Sequence, residues 1–341
     1  KMTTDLLVRG NRIAAQSGFT TFTENLGAIE ANGVELGINA YVVDRKNFEW
    51  SVSGVVSGGK ARIVDMNADY VLSGYNQGWV AGGTQRLIIG EEIGAFFGYE
   101  TAGISQFSDF EEFQGLTNEE SIALYNIDRN ATFTPVSNTN GLGTIAERPG
   151  EQLYTDLNGD GIINDLDKKV IGHAQPDIAF GIKNTLSFKN IDLRFFIDAK
   201  LGQEITNVMN FRMLSFDENQ QLAVANESWT PENQSNVYPR LDLNNSGAPA
   251  FVYSDRYVED ASFFRLQNVT ITYHLPRELL DKIKVKSAQI YASGTNLYMI
   301  TNYSGFNPDV SLTGRNTLTL GHDSAGYPIA RTIRCGLKVK F

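Results

Sequence analysis

Residues 178–202 read IAFGIKNTLSFKNIDLRFFIDAKLG, and their side chains sort onto two faces. One face carries Ile178, Phe180, Ile182, Asn184, Leu186 and Phe188, then Ile191, Leu193, Phe195, Ile197 and Ala199. The other carries Ala179, Gly181, Lys183, Thr185 and Ser187, then Asp192, Arg194, Phe196, Asp198 and Lys200. A period of two is the mark of a β-strand, and Lys189-Asn190 is the reversal between two of them. The same split recurs at 34–43 and at 332–341. Across these four strands one face is apolar at 20 of 21 positions and the other at 4 of 20. The apolar face holds no Asp, Glu, Lys or Arg. A lipid-facing Lys or Arg at mid-bilayer costs roughly 2–4 kcal/mol, so this exclusion is what a membrane barrel wall requires.

Working outward, nine strands are expected near 33–44, 48–60, 82–90, 94–104, 178–188, 191–202, 263–275, 286–299 and 331–341. Several are long enough to cross a bilayer as tilted strands of about 9–11 residues. Helical spacing is confined to a capping-box stretch at Thr117-Asn118-Glu119-Glu120 and to PRELLDKIKV at 276–285. Alternation alone also fits a soluble β-sandwich, and a secreted calcium-stabilised β-sandwich binding module is the alternative reading. The links separate the two. Those at 45–47, 91–93, 189–190 and 276–285 are short, whereas 61–81, 105–177, 203–262 and 300–330 are long. Short turns at one end and long loops at the other describe an outer-membrane barrel. Nine strands leave raw edges, which lipid does not tolerate. The expected fold is therefore all-β: a transmembrane antiparallel up-and-down β-barrel, of which this is the C-terminal part. About nine or ten strands here would belong to a barrel of roughly 22.

The chain has 341 residues and a net charge of −10, which disfavours nucleic acid as a partner. Its one cysteine, Cys335, excludes a disulfide framework and multi-cysteine metal sites. The first residues, KMTTDLLVRG, lack the apolar core of a signal peptide, so the chain is expected to begin mid-protein or after processing. Enzymatic patterns are wanting. Gly58-Gly59-Lys60 lacks the rest of a phosphate loop, Glu111-Glu112 reads as solvated charge, and no nucleophile elbow or paired-histidine motif occurs.

Several segments resemble the C-terminal half of SusC/RagA-family TonB-dependent outer-membrane transporters of Bacteroidota. They are NLGAIEANGVELGINA (25–40), IGEEIGAFFGYETAGI (89–104), the stretch 154–202, ESWTPENQSNVYPRL (227–241), DASFFRLQNVTITYHLP (260–276), SAQIYASGTNLYMITNYSGFNPDVS (287–311) and the terminal RTIRCGLKVKF. The resemblance implies TonB-energised uptake of oligosaccharides or peptides through a plugged barrel in the outer membrane. It also implies a SusD-like surface lipoprotein, TonB–ExbB–ExbD, the plug and remaining barrel of the same transporter, surrounding lipid, and a dimer of transporter–lipoprotein pairs. Phe341, the free terminal aromatic, would then be the signal read by the barrel-assembly machinery. Interfacial anchoring of an aromatic is the plainer reading.

The sharpest local motif is DLNGDGIINDLD at 156–167. Asp156, Asn158 and Asp160 occupy positions 1, 3 and 5 of an EF-hand-like loop, and Gly161 takes the sharp turn. The Ile162 carbonyl, Asn164 and Asp167 follow at positions 7, 9 and 12. Hard oxygen donors at this spacing suit calcium in a structural role. The competing reading is an Asx-rich turn that folds without metal. Phe96, Phe97, Tyr99, Phe263 and Phe264 are candidate sugar-stacking platforms, although girdle or wall positions suit them better. Trp229 reads as loop packing, and no substrate-binding residue is assigned.

Overall fold

A strand with one apolar edge satisfies neither its backbone nor its greasy face alone, so pairing and register decide what such a chain becomes. The computed structural model describes residues 2–12, 21–66, 70–73, 83–136, 148–214, 223–241, 252–282, 284–311 and 320–341. In chain order the elements are β1 (Met2–Arg12), β2 (Thr21–Arg45), β3 (Phe48–Met66), β4 (Tyr70–Ser73), β5 (Gln85–Ile88), β6 (Ala95–Tyr99), β7 (Thr101–Ile104), α1 (Asn118–Ile127), β8 (Gln152–Tyr154), β9 (Lys168–His173) and β10 (Ile178–Phe188). They continue as β11 (Ile191–Leu201), β12 (Glu204–Asn207), α2 (Val208–Leu214), β13 (Val258–Asp260), β14 (Phe263–His274), α3 (Arg277–Lys282), β15 (Ser287–Thr301), β16 (His322–Asp323) and β17 (Thr332–Lys340).

Eight strands make one antiparallel sheet in the order β1-β2-β3-β10-β11-β14-β15-β17. The register lines like face with like: Ile182 stands opposite Gly54 on one side and Ile197 on the other. Opposite the polar side, Asp198 meets Arg265. Of the sheet's register shifts, two keep the apolar and polar faces in step along the wall. One between Tyr41 and Val43 brings Val43 opposite Trp50 and so onto the apolar face, where simple alternation puts it on the polar one. The other skips Gln267 in β14. Links 46–47, 189–190 and 275–286 lie at one end; links 67–177, 202–262 and 302–331 lie at the other.

That end-to-end asymmetry matches expectation, but two of the nine expected strands do not join this sheet. Segments 82–90 and 94–104 supply β5, β6 and β7, which belong to smaller sheets within the long-link end. Gln85, Arg86 and Leu87 are all buried, as are Ala95, Phe96, Gly98 and Tyr99. Strands covered on both sides are core strands, and their sequences show it: Leu87-Ile88-Ile89 and Phe96-Phe97 break the alternation a wall needs. Link 91–93 is accordingly no short-end turn. It pairs instead with the upper edge of β3, with Gly90 N–H on the Ile63 carbonyl at 2.7 Å and Ile93 N–H on the Ala61 carbonyl at 2.9 Å. Conversely β1 is a strand that alternation does not reveal, since its pairing with β2 shifts register three times. The start of the expected loop, 61–66, is strand, and 67–69, 74–82, 137–147, 215–222, 242–251 and 312–319 lie outside the described residues.

The three long links fold together. Strands β4, β5, β6 and β9 form one sheet and β13, β12 and β16 another. Thr206 N–H donates to the Gly321 carbonyl at 2.8 Å, and Tyr99 N–H to that of Tyr253 at 3.2 Å, so each link is bonded to the next. The expected capping box is present on α1: Thr117 and Glu120 cap each other's backbone. Helix α1 packs Tyr125 into a cluster with Ile104, Phe107, Phe110, Phe113 and Trp229. The Trp229 indole N–H donates to Gln106 Oε1 at 3.0 Å, which satisfies its polar edge inside that core.

Gly150 is the tight point of this assembly. Its φ is +87°, and a Cβ there would stand 2.5 Å from Trp229 Cε3. Gly150→Ala is expected to destabilise the assembly by about 1–3 kcal/mol. Limited proteolysis should cut segments 105–136 and 223–241 faster than in the parent; equal rates would contradict the packing described.

A wall with an uncovered apolar face and the loop assembly above it

The eight-stranded sheet presents its apolar side uncovered. Val34, Leu36, Ile38, Ile182, Ile191, Ile271, Ile290, Ile333 and Leu337 are all exposed, Ile333 at 73% and Leu337 at 64%. Register builds rows across the strands. One row runs Val56, Phe180, Ala199, Phe264 and Ile300; another, at the short-link end, runs Phe48, Phe188, Ile191, Tyr273, Ile290 and Leu337. Both rows are rich in aromatics, and the Phe180 and Phe264 rings touch at 5.7 Å. Eight residues separate them, about 26 Å along the strand and less across a tilted wall. That matches an apolar band of about 25 Å flanked by aromatic girdles. The polar exception, Asn184, is only 8% exposed, and its Oδ1 accepts the Trp50 indole N–H at 3.1 Å.

The belt has an upper limit. Strand β2 is 25 residues long, far more than about 9–11 needed to cross, so it rises beyond the belt. Above Val34 and Gly58 the same face turns polar, with Asn32 opposite Lys60 and Glu30 opposite Arg62. Here Lys60 is paired with Glu92 at 2.9 Å and Asp177 at 2.7 Å, joining the wall to the loop assembly.

The opposite face is polar and paired within itself. Near the short links, Asp192 accepts from Ser187 at 2.8 Å and contacts His274 Nε2 at 3.0 Å. Near the loops, Arg265 grips Asp198 with two contacts of 3.1 and 2.5 Å. Asp309, from the last long link, reaches Lys200 at 2.5 Å and Arg265 at 3.4 Å. This four-membered cluster escapes linear reading because Asp309 is 109 residues from Lys200.

The acidic loop at 156–167 is held by its own hydrogen bonds. Asp156 accepts from Gly159 and Gly161, each at 2.7 Å; Asn158 and Asp160 accept from Asp160 and Ile162. Asp167, fully buried, accepts from Leu157 at 3.0 Å and Asn164 at 2.8 Å. Asn164 Nδ2 donates to the Ile162 carbonyl at 3.2 Å. The Gly161 and Gly159 amides hold the Asp156 carboxyl below the ordinary carboxylate range. Among the described residues no three His, Cys, Asp or Glu side chains converge as a metal cluster. The loop is also anchored from outside: Arg86 makes a two-pronged contact to Asp165 at 2.9 and 2.7 Å while lying 4.3 Å over the Phe97 ring. Arg86 is a clamp the sequence did not announce.

Of the candidate stacking aromatics, Phe96, Tyr99 and Phe263 are buried and Phe97 lies under Arg86, so these four are packing residues. Phe264 stands on the apolar wall face. Trp229 is core, as expected. Gly58, Gly59 and Lys60 are strand residues of β3. Cys335 is exposed on the apolar face beside Ala292. Phe341, 80% exposed, continues that face at the short-link end.

No protein-family model matches the chain. Sequence comparison finds TonB-dependent receptor P26 of Formosa agariphila, 31% identical over 346 residues, covering 100% of this chain and 32% of the relative. TonB-dependent receptor P3 of the same organism is 30% identical over 95% of this chain and 30% of its own length. TonB-dependent receptor SusC of Bacteroides thetaiotaomicron is 23% identical over 99% and 29% respectively. The chain thus spans about a third of the length of these relatives. Among solved structures, the RagAB peptide transporter superposes with a TM-score of 0.70 at 18% identity, covering 100% of this chain and 32% of that one. The fold of the wall and loop assembly is therefore one already seen in a transporter structure.

The facing of neighbouring residues is directly testable. Phe195→Arg puts a charge on the apolar face and is expected to reduce assembly into the membrane by tenfold or more, whereas Arg194→Ala is expected to assemble as the parent does. Heat-modifiable mobility of membrane fractions reads this, and equal assembly of the two variants contradicts the facing.

Proposed function

The chain corresponds over its whole length to a portion of SusC/RagA-family TonB-dependent receptors, and on that premise we propose that it supplies the C-terminal barrel wall and loops of an outer-membrane nutrient importer. The observation that carries this reading is the uncovered apolar belt of the eight-stranded sheet, backed by a charged face and topped by long, folded links. A sheet with that much exposed apolar surface is unstable in water, at about 25 cal/mol per Å², and stable against hydrocarbon. The sandwich alternative needs a second layer over this face; among the described residues that face is open.

In this reading the two free edges, β1 and β17, close with strands from the rest of a barrel of about 22 strands, and a plug fills the lumen. The charged face lines that lumen and the long links face the cell exterior. A SusD-like lipoprotein would sit over them, TonB–ExbB–ExbD would supply energy, and the assembly would be a dimer of such pairs. The cargo would be an oligosaccharide or a peptide. Phe341 would end the last strand at the periplasmic side as the assembly signal. No chemical step falls to this chain.

Calcium at 156–167 belongs to the same proposal. Its support is an all-oxygen donor set at Asp156, Asn158, Asp160, the Ile162 carbonyl, Asn164 and Asp167, on a loop already turned by Gly161 at φ +78°. The ion would stiffen the assembly, with Arg86–Asp165 passing that stiffness to β5.

Triton-type phase partitioning of the full-length protein tests the membrane assignment. Recovery in the detergent phase is expected; recovery in the aqueous phase refutes import. For the loop, calcium is expected to slow proteolysis within 150–172 and to lose that effect in Asp156→Ala with Asp160→Ala. Because the Asp156 carboxyl is held below its usual range, protection should persist at pH 5 and fail only as pH falls below the ordinary carboxylate range. A parent protein indifferent to calcium would remove the metal.

A further inference from the structure

The segment after β15 returns across the polar face of the wall instead of leaving it. Tyr303 is buried against Ile205 and Ala261 and donates to Asp323 at 2.8 Å. Ser304 N–H is held by Glu259 at 3.0 Å. Gln203, itself buried, donates to the Pro308 carbonyl at 2.9 Å. Beyond Tyr303 and Ser304, the turn at Asn307–Val310, itself held at its Pro308 carbonyl, carries Asp309 onto Lys200 and Arg265.

Charge and access single out this contact. Asp198 already takes Arg265 in a two-pronged grip, so Lys200 is met by Asp309. With Asp309 swung away, Lys200 and Arg265 would face Asp198 with a net charge of +1. Each oxygen of Asp309 is held by a different cation, Oδ1 by Lys200 and Oδ2 by Arg265, as a bound carboxylate would be. The side chains of Lys200 and Asp309 are 38% and 28% exposed, so a carboxylate from solution can reach them.

We propose that Lys200 and Arg265 form a carboxylate-binding notch on the wall, filled here by this chain's own Asp309, and that a carboxylate-bearing cargo displaces Asp309 and frees the turn at 307–310. The notch is a property of the chain; calling its ligand cargo rests on the import reading. The latch is an internal stand-in for the ligand, and the anchors at Tyr303, Ser304 and the Pro308 carbonyl confine the motion to the Asp309 end of the turn.

Hydrogen exchange of residues 303–311 in the full-length receptor, purified in detergent, tests this. Succinate is the probe, succinamide its uncharged counterpart, and sodium chloride the control at equal ionic strength. Succinate is expected to speed exchange by at least about threefold, the scale of a partly exposed ion pair, with succinamide and chloride without effect. Asp309→Asn should exchange at that faster rate from the outset and give no further response. Lys200→Met removes the same contact from the wall side and is read in the same way should Asp309→Asn not accumulate. Equal acceleration by all three solutes, or unchanged exchange in the variants, overturns the notch. Aqueous partitioning with the succinate response intact refutes import and supports the notch.

Discussion

Hydrocarbon offers a backbone no hydrogen-bond partner and an ion no solvation, and the architecture follows from that pair of demands. Strand-to-strand pairing from β1 to β17 answers the first. The second is answered by register, which keeps Asp192, Arg194, Asp198, Arg265 and Lys200 on one side of every ladder and aliphatic or aromatic groups on the other. A slip of one residue anywhere would place charge in lipid, so the two bulges are corrections that preserve facing across imperfect alternation. Even Asn184 obeys the rule, because its amide oxygen is closed off by the Trp50 indole.

The long links are a second body built on that wall by different physics. Strands β5, β6, β8 and β12 are mostly buried on both sides, the largest core is aromatic, and the links are tied to each other by backbone hydrogen bonds. Under the proposed import role such preformed structure lowers the entropic cost of meeting a partner or a cargo. Arg240 on Tyr125 binds one link to another, Lys60 on Glu92 binds a link to the wall, and Arg86 on Asp165 ties two distant parts of the 67–177 link together.

Wall strands were legible wherever alternation was strict: β10, β11, β14, β15 and β17 sit within a few residues of their expected positions, and so does the short helix at 277–282. Segments 82–90 and 94–104 were misplaced because residues buried on both sides carry no facing signal. Strand β1 was hidden by its register shifts. The turn at 156–167 was legible because the hydrogen bonds that hold it are local in sequence. Asp309 on Lys200, Gln106 on Trp229 and the Gly150 contact could not, being made by distant segments that nothing in either stretch names alone.

Which medium touches which side of the wall decides the account. Spin labels placed singly from Ile191 to Lys200 in the reconstituted full-length receptor report it, through accessibility to oxygen and to a water-soluble nickel chelate. Oxygen should reach Leu193, Phe195 and Ile197, and nickel Arg194 and Asp198, in strict alternation. Uniform access to nickel at all ten positions, or equal exclusion of both reagents from the apolar positions, would contradict a wall set in lipid.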